Sequence, residues 1–186
     1  MRMICLGLLA LAEAVALQEA AVSNPIQHVL LQMPLLVLAG ALAGWHLKVP
    51  RHWAVPLLLT ALTAFLFWML PRNVDWALTP VGELAKHTTQ PLLLGLPLRL
   101  SWPWLDPILR GFLKANALSM LGVLGFLYTH APVRICNSYL VSAQQDLGFA
   151  FLYLAAALAC LWAFPLLFGQ LRSMPVGTAG CTKCGV

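Results

Sequence analysis

The chain has 186 residues, of which 61% are apolar and only 9% are charged, and its mean hydropathy is +0.83. A soluble domain of this length could not cover so much apolar surface, so the composition excludes an ordinary soluble protein and indicates a membrane protein. The formal net charge of +5 resides in short loops, where basic residues set membrane orientation, which argues against nucleic-acid binding.

Five apolar stretches of membrane-spanning length follow a shorter, ambiguous one at the N-terminus. Because backbone groups in lipid must be hydrogen-bonded within their own segment, the stretches predict an all-α, polytopic bundle of about six spans. The first stretch also has the features of a signal peptide, and its removal would leave five spans. We favour retention. The predicted spans are Met3 to Leu17, Pro25 to Leu47, His52 to Leu70, a fourth around Pro80 to Leu100, Leu105 to His130, and Gln144 to Phe168.

The fourth span is the least regular of the six. Asp75 to Lys86 is polar and helical in pattern, whereas Pro91 to Leu100 is apolar. Pro80 can start a helix that runs through both segments. Proline lacks the backbone N–H of a helix interior, so we expect this helix to be kinked near Pro91 and Pro97.

Residues 1–169 are predicted to form one transmembrane bundle, and residues 170–186 a short polar tail. Cys181 and Cys184 form a lone CxxC in that tail, which is at best half of a zinc or redox site. Lys and Arg concentrate in every second loop and after the last span. This alternation predicts a multi-pass protein of the bacterial inner membrane with a cytoplasmic C-terminus.

Two further patterns concern helix contacts. Gly40 and Gly44 form a GxxxG motif in the second span, which favours a close contact with another helix. Arg110 and Lys114 are expected to extend toward the cytoplasmic headgroups, and Asn116 to form a hydrogen bond between helices.

The predicted topology places three histidines toward the outer face: His28, His87 and His130. Met33 lies close to His28, and Asp146 opens the last span on the same side. Imidazole and thioether ligands suit copper, especially the cuprous ion, better than magnesium or calcium. We therefore expect a copper site formed by these five residues.

Other interpretations of the same residues stay open. Each histidine could lie in the headgroup region without a ligand, Met33 could be a packing residue, and Asp146 could cap the last span. Glu83 lies one helical turn before His87, where a carboxylate can fix the tautomer of an imidazole ring. The three histidines together carry more weight than any one of them.

Two segments resemble a known family. Asn24 to Gly40, NPIQHVLLQMPLLVLAG, resembles the Gln-His-Leu-Leu-Leu-Met…Pro-Leu-Leu-Val-Leu-Gly span of the caa3-type cytochrome c oxidase assembly family, usually called CtaG-like. Ala143 to Phe149, AQQDLGF, is similar to that family's Asp-Gln-Gln-Leu-Gly-Gly motif, although here the acid follows the glutamines. The resemblance implies a role in respiratory oxidase assembly through copper delivery, with His28 and then Asp146 as the residues carried over.

Three functions follow from these observations. The first is a non-enzymatic assembly protein that handles copper, with the lipid bilayer and oxidase subunits as its partners. The second is a b-type haem protein with His28 and His87 as the axial pair. The third is a structural subunit of a larger membrane complex. The sequence contains no GxSxG, HExxH or glycine-rich phosphate loop, so we do not expect an enzyme.

Overall fold

The computed structural model describes residues 2–130 and 139–168, and all regular elements in these ranges are helical, as predicted. The predicted tail, with Cys181 and Cys184, lies outside the described residues. The α-helices are α1 (Arg2–Ala16), α2 (Gln18–Ser23), α3 (Met33–Ala43), α4 (Ala54–Met69), α5 (Pro71–Trp76), α6 (Pro80–Thr89), α7 (Leu96–Ser101), α8 (Pro107–His130) and α9 (Val141–Phe168).

Three helices in the described ranges are long and apolar enough to cross a membrane: Arg51–Met69, Pro107–His130 and Val141–Pro165. Met3–Ala16 and Gln27–Ala43 are apolar but shorter. The structure thus supports membrane-spanning helices, while the predicted total of six spans stays a prediction. The third, fifth and sixth predicted spans are the ones that reach membrane length.

Two helical segments begin at a proline that follows a capping side chain. The Asn24 Oδ1 accepts a hydrogen bond from the Ile26 N–H at 2.9 Å, next to Pro25. The Thr79 Oγ1 accepts one from the Gly82 N–H at 3.2 Å, next to Pro80. A side-chain acceptor followed by proline is a favourable start for a helix, because the cap satisfies a free N–H and proline has none to satisfy. Both starts agree with the sequence prediction.

Two π-helical turns interrupt the α-helical regions. The first, Gln27–Gln32, leads directly into α3, where Pro34 lies in the first turn. The second, Gln90–Gly95, joins α6 to α7 and contains Pro91. Since proline cannot donate the usual helical hydrogen bond, a local change to wider turns keeps the chain helical around it. The irregularity predicted at Pro91 therefore takes the form of a π turn.

Glycines allow two helical segments to pack closely. One segment is the first π turn with α3, and the other is the second π turn with α7. A Cβ atom on Gly40 would overlap the Pro91 carbonyl, and a Cβ on Gly95 would overlap the Val37 carbonyl. Gly44 also faces this neighbour, since a Cβ there would lie 2.6 Å from Leu96 Cδ1. The close contact predicted from the GxxxG motif is confirmed.

Helices α8 and α9 form an antiparallel hairpin whose members pack mainly on each other. Gly125 and Gly148 bring the two backbones together, because a Cβ on either would lie 3.0–3.1 Å from the other's carbonyl oxygen. The Tyr139 hydroxyl donates to the Ala21 carbonyl at 2.6 Å and ties the start of α9 to α2. Helix α9 begins at Val141, three residues before the predicted start at Gln144.

Candidate functional site

Several polar side chains are buried in the described part of the chain. Lys86 is the largest side chain that is fully buried, and it shares its surroundings with a histidine and a glutamine. Charged and amide groups away from water are costly unless they are paired, so these residues are the first candidates for a functional site. The buried polar residues are His28, Gln32, Lys86, Gln90, Ser101 and Gln144.

Gln32 is the centre of this group. Its Oε1 contacts His28 Nδ1 at 3.0 Å and accepts from Lys86 Nζ at 2.8 Å. Its Nε2 donates to the Ala14 carbonyl and to Gln18 Oε1, both at 2.8 Å. A glutamine amide has two acceptor lone pairs and two N–H donors, so all four positions are used. The Gln32 side chain is therefore held in one orientation.

Lys86 completes a network that joins α1, α2, the first π turn and α6. Its ammonium donates to Gln18 Oε1 at 2.9 Å and to Gln32 Oε1 at 2.8 Å. Neither acceptor is charged, and no carboxylate forms an ion pair with Lys86 within the described residues. Two amide oxygens offset only part of the cost of desolvating an ammonium ion. We call Gln18, His28, Gln32 and Lys86 the polar centre.

The bonds of the polar centre fix the tautomer of His28. Because both lone pairs of Gln32 Oε1 accept hydrogen bonds, the His28 Nδ1 carries the proton and its Nε2 carries a lone pair in the neutral ring. That Nε2 is buried and makes no hydrogen bond. The Val74 carbonyl lies near the ring without meeting hydrogen-bond geometry. The outcome is a buried imidazole nitrogen with a free lone pair.

His87 is arranged in the same way but in a different place. Its Nδ1 contacts the Glu83 backbone carbonyl at 2.8 Å, and its Nε2 is buried without a partner. The sequence prediction named Glu83 correctly but assigned the wrong atom, since the backbone carbonyl and not the carboxylate holds the ring. His87 lines a cavity of about 310 Å³ between α1, α3 and the second π turn, with Gly7, Gly40 and Pro91 among its walls. His28 does not line it.

Two of the other predicted ligands are exposed, and the third is buried among apolar side chains. His130 is exposed at the end of α8, where its ring stacks on Phe126 with 4.3 Å between the centroids. Asp146 is exposed in α9. Met33 is buried in an apolar cluster with Trp68 and other side chains.

No group of three or more His, Cys, Asp or Glu side chains in residues 2–130 and 139–168 is placed to hold a metal ion. The three predicted histidines thus form no common metal-binding group in the described residues, and copper binding stays a prediction.

Sequence reasoning did not single out Lys86, Gln90 and Ser101 among the buried polar residues, nor Gln18, which is half-buried. A signal was present, since Lys86 and Gln90 are spaced by four residues in the same way as His28 and Gln32. Polar side chains at this spacing occupy one face of a helix, and both pairs border apolar runs. Lys86 ends the polar stretch Asp75 to Lys86, and a polar stretch does not by itself indicate a buried lysine.

Comparisons with protein-family models, with curated proteins and with solved structures find no match to this chain. The resemblance to the oxidase assembly family therefore stays a prediction that depends on the two quoted segments.

Proposed function

We propose that this chain is a non-enzymatic membrane protein that crosses the bacterial inner membrane several times and assists respiratory oxidase assembly by handling copper. The membrane-length helices support its location in a bilayer. The two segments that resemble the CtaG-like family support the assembly role. The C-terminus is placed in the cytoplasm on the basis of the loop charges.

One observation carries the copper proposal: His28 and His87 each present a buried Nε2 that accepts no hydrogen bond. In both rings the opposite nitrogen is bonded to an oxygen, which fixes the ring and leaves Nε2 as the electron-pair donor. Neutral imidazole in this state is a ligand for cuprous copper. A cargo that must be released again needs few ligands, so one or two histidines are sufficient. His130, Met33 and Asp146 have no comparable geometric support.

Metal analysis of the purified full-length protein tests this proposal. Protein from copper-supplemented cells is expected to retain copper, and a His28→Ala/His87→Ala variant is expected to lose most of it. His130→Ala is the matched control, because that ring is exposed and its loss leaves the polar centre intact. Absence of copper from the unmodified protein, or unchanged copper in the double variant, would contradict the proposal. A Soret band in the visible spectrum would instead support the haem alternative.

A structural role in a larger complex is a second candidate, and the α8–α9 hairpin favours it. Only 11% of the α8 window and 17% of the α9 window of membrane length are buried, against 28% for Arg51–Met69. Asn116 is exposed on α8 and makes no hydrogen bond within the described residues. An amide in lipid is stabilised by a partner from another helix. No described residue makes the interhelical hydrogen bond predicted for Asn116, and that bond stays a prediction.

Native electrophoresis of mild-detergent extracts tests the second candidate. The unmodified protein is expected to migrate with a larger complex, and Asn116→Leu is expected to release it as a smaller species. Ser142→Leu, at an exposed position near the start of α9, is the control. Migration of the unmodified protein at its own mass would count against a structural subunit.

A further inference from the structure

A group of basic residues with only one acidic residue among them lies at one end of the molecule. It comprises the chain around residues 44–53, which joins α3 to α4, and the chain from 96 to 114, which passes from α7 into α8. These two segments contain five Lys or Arg residues and a single acid, Asp106. The five residues, which we call the basic end, are Lys48, Arg51, Arg99, Arg110 and Lys114.

Contacts between the two segments show that they belong to the same end. The guanidinium carbon of Arg99 lies 4.5 Å from the ring centroid of Trp45. A Cβ atom on Gly44 would touch the Leu96 side chain, and α4 also contacts the 3₁₀ turn Trp102–Trp104. Arg110 joins this turn, because its Nη2 donates to the Pro103 carbonyl at 3.0 Å. Arg99 and Arg110 therefore lie on the two sides of the Trp102–Trp104 turn along the chain.

Arg99 lies over the Trp45 ring, Arg110 donates to a backbone carbonyl, and the Lys114 Nζ lies 5.6 Å from the Trp162 ring centroid, but none of these contacts supplies a negative charge. None of the five forms an ion pair with a carboxylate in the described ranges. The Nε atoms of Arg99 and Arg110 are buried and have no hydrogen-bond acceptor. A guanidinium is a planar fork of N–H donors that matches the oxygens of a phosphate. Two half-buried arginines whose charge no described carboxylate balances thus indicate an anion that comes from outside the chain.

The surroundings indicate that this acceptor is attached to a lipid. Trp45, Trp53 and Trp104 are exposed at the same end, with 44–52% of their surface accessible. Tryptophan is enriched where a membrane protein meets the headgroups, because its ring is apolar and its N–H is polar. Basic pockets between membrane helices bind anionic lipid headgroups. The acceptor that fits these surroundings is the phosphate of a phospholipid.

We propose that the basic end binds the headgroup of an anionic phospholipid, with its phosphate between Arg99 and Arg110. Lys48, Arg51 and Lys114 supply further positive charge around the headgroup. The tryptophans contact the glycerol and the first part of the acyl chains. This inference does not depend on copper or on oxidase assembly.

Binding of phosphatidylglycerol to the delipidated full-length protein in detergent tests the proposal. Phosphatidylglycerol is expected to bind at least five-fold more tightly than zwitterionic phosphatidylcholine, and sodium phosphate at the same concentration is expected not to compete. Each basic residue near an anionic headgroup contributes about a five-fold change in affinity, so Arg99→Gln/Arg110→Gln is expected to weaken binding about twenty-fold.

Two further variants keep this test decisive. Arg72→Gln, at an exposed position between α4 and α6, is expected to leave the affinity unchanged. Lys48→Gln/Arg51→Gln removes two exposed charges without touching a packed side chain and is expected to weaken binding even if the Arg99 and Arg110 variants do not fold. Equal affinity for both lipids, competition by free phosphate, or an equal loss in Arg72→Gln would overturn the proposal.

Discussion

Two regions of the molecule differ in where their polar side chains lie: the region from α1 to α7 and the α8–α9 hairpin. The first region buries Lys86, His28 and Gln32 and joins them by hydrogen bonds across four elements. The hairpin leaves Asn116 exposed and buries few polar groups along its length. A polar residue that is satisfied internally stabilises its own bundle, whereas an exposed one keeps its donors and acceptors available to another helix. The two regions are therefore suited to different tasks.

The largest expected effect concerns helix packing in the first region. Gly40→Leu is expected to prevent folding, because its side chain would occupy the position of the Pro91 backbone. Overpacking a core by a few carbons already costs about 1–3 kcal/mol, and a backbone cannot move aside as a side chain can. Yield and size-exclusion profile in detergent are the measurements.

The matched change in the hairpin is Gly111→Leu. No atom lies within 4 Å of a Cβ built at Gly111, so this variant is expected to fold and to keep its thermal stability. Equal damage from both substitutions would contradict the contrast between the two regions.

The next largest effect is expected at Gln32, which makes four hydrogen bonds in the polar centre. Gln32→Leu removes the acceptor of His28 and one acceptor of Lys86 at once, and leaves an ammonium and an imidazole poorly satisfied in the interior. We expect a loss of about 3 kcal/mol in the free energy of unfolding, since stranding a buried polar group costs about 1–3 kcal/mol and a charged one more. Denaturation in mixed micelles measures it.

Lys86→Met is the complementary variant. The side-chain oxygens of Gln18 and Gln32 lose Lys86 as a donor but keep their other donors after the change. Apolar replacement of a buried charge is often neutral or stabilising, so stability is expected to stay within about 1 kcal/mol of the unmodified protein. If Lys86→Met is stable but loses its biological activity in cells, the ammonium serves function and not folding. A loss as large as that of Gln32→Leu would show that Lys86 holds the helices together.

A smaller effect is expected where the two regions meet. Tyr139→Phe removes the hydroxyl that donates to the Ala21 carbonyl but keeps the ring in its apolar cluster. The expected loss is about 1 kcal/mol, which is typical of one internal hydrogen bond. Cross-linking between α2 and α9 should also become less efficient. Unchanged stability and cross-linking would show that the hairpin does not depend on this contact.

The smallest expected effect on stability is that of Asn116→Leu in the hairpin. Because Asn116 has no hydrogen-bond partner in the described chain, the isolated protein is expected to change by less than about 0.5 kcal/mol. Thermal unfolding of the purified protein provides the measurement. A marked destabilisation would mean that Asn116 bonds within its own chain, and the hairpin would then resemble the first region.

Composition and pattern were sufficient to predict the helical class, the proline starts at Pro25 and Pro80, the irregular turn at Pro91 and the close contact at Gly40. These features depend on local chemistry or on the missing side chain of glycine. The polar centre could not be predicted in full, since Gln18 and Lys86 meet only through folding, 68 residues apart. The exposed position of His130 is one of the two that the sequence left open, because loop charges assign a side of the membrane and not a direction around a helix.

The position of Lys86 in the chain has a consequence for how the protein is made. A segment with a lysine in its middle and little apolar length around it enters lipid poorly by itself. Both acceptors of the ammonium, Gln18 and Gln32, precede it and have already left the ribosome when α6 is synthesised. If α6 enters the membrane, the earlier helices already present the two acceptors for its lysine. The order of synthesis supplies the acceptors before the charge that needs them.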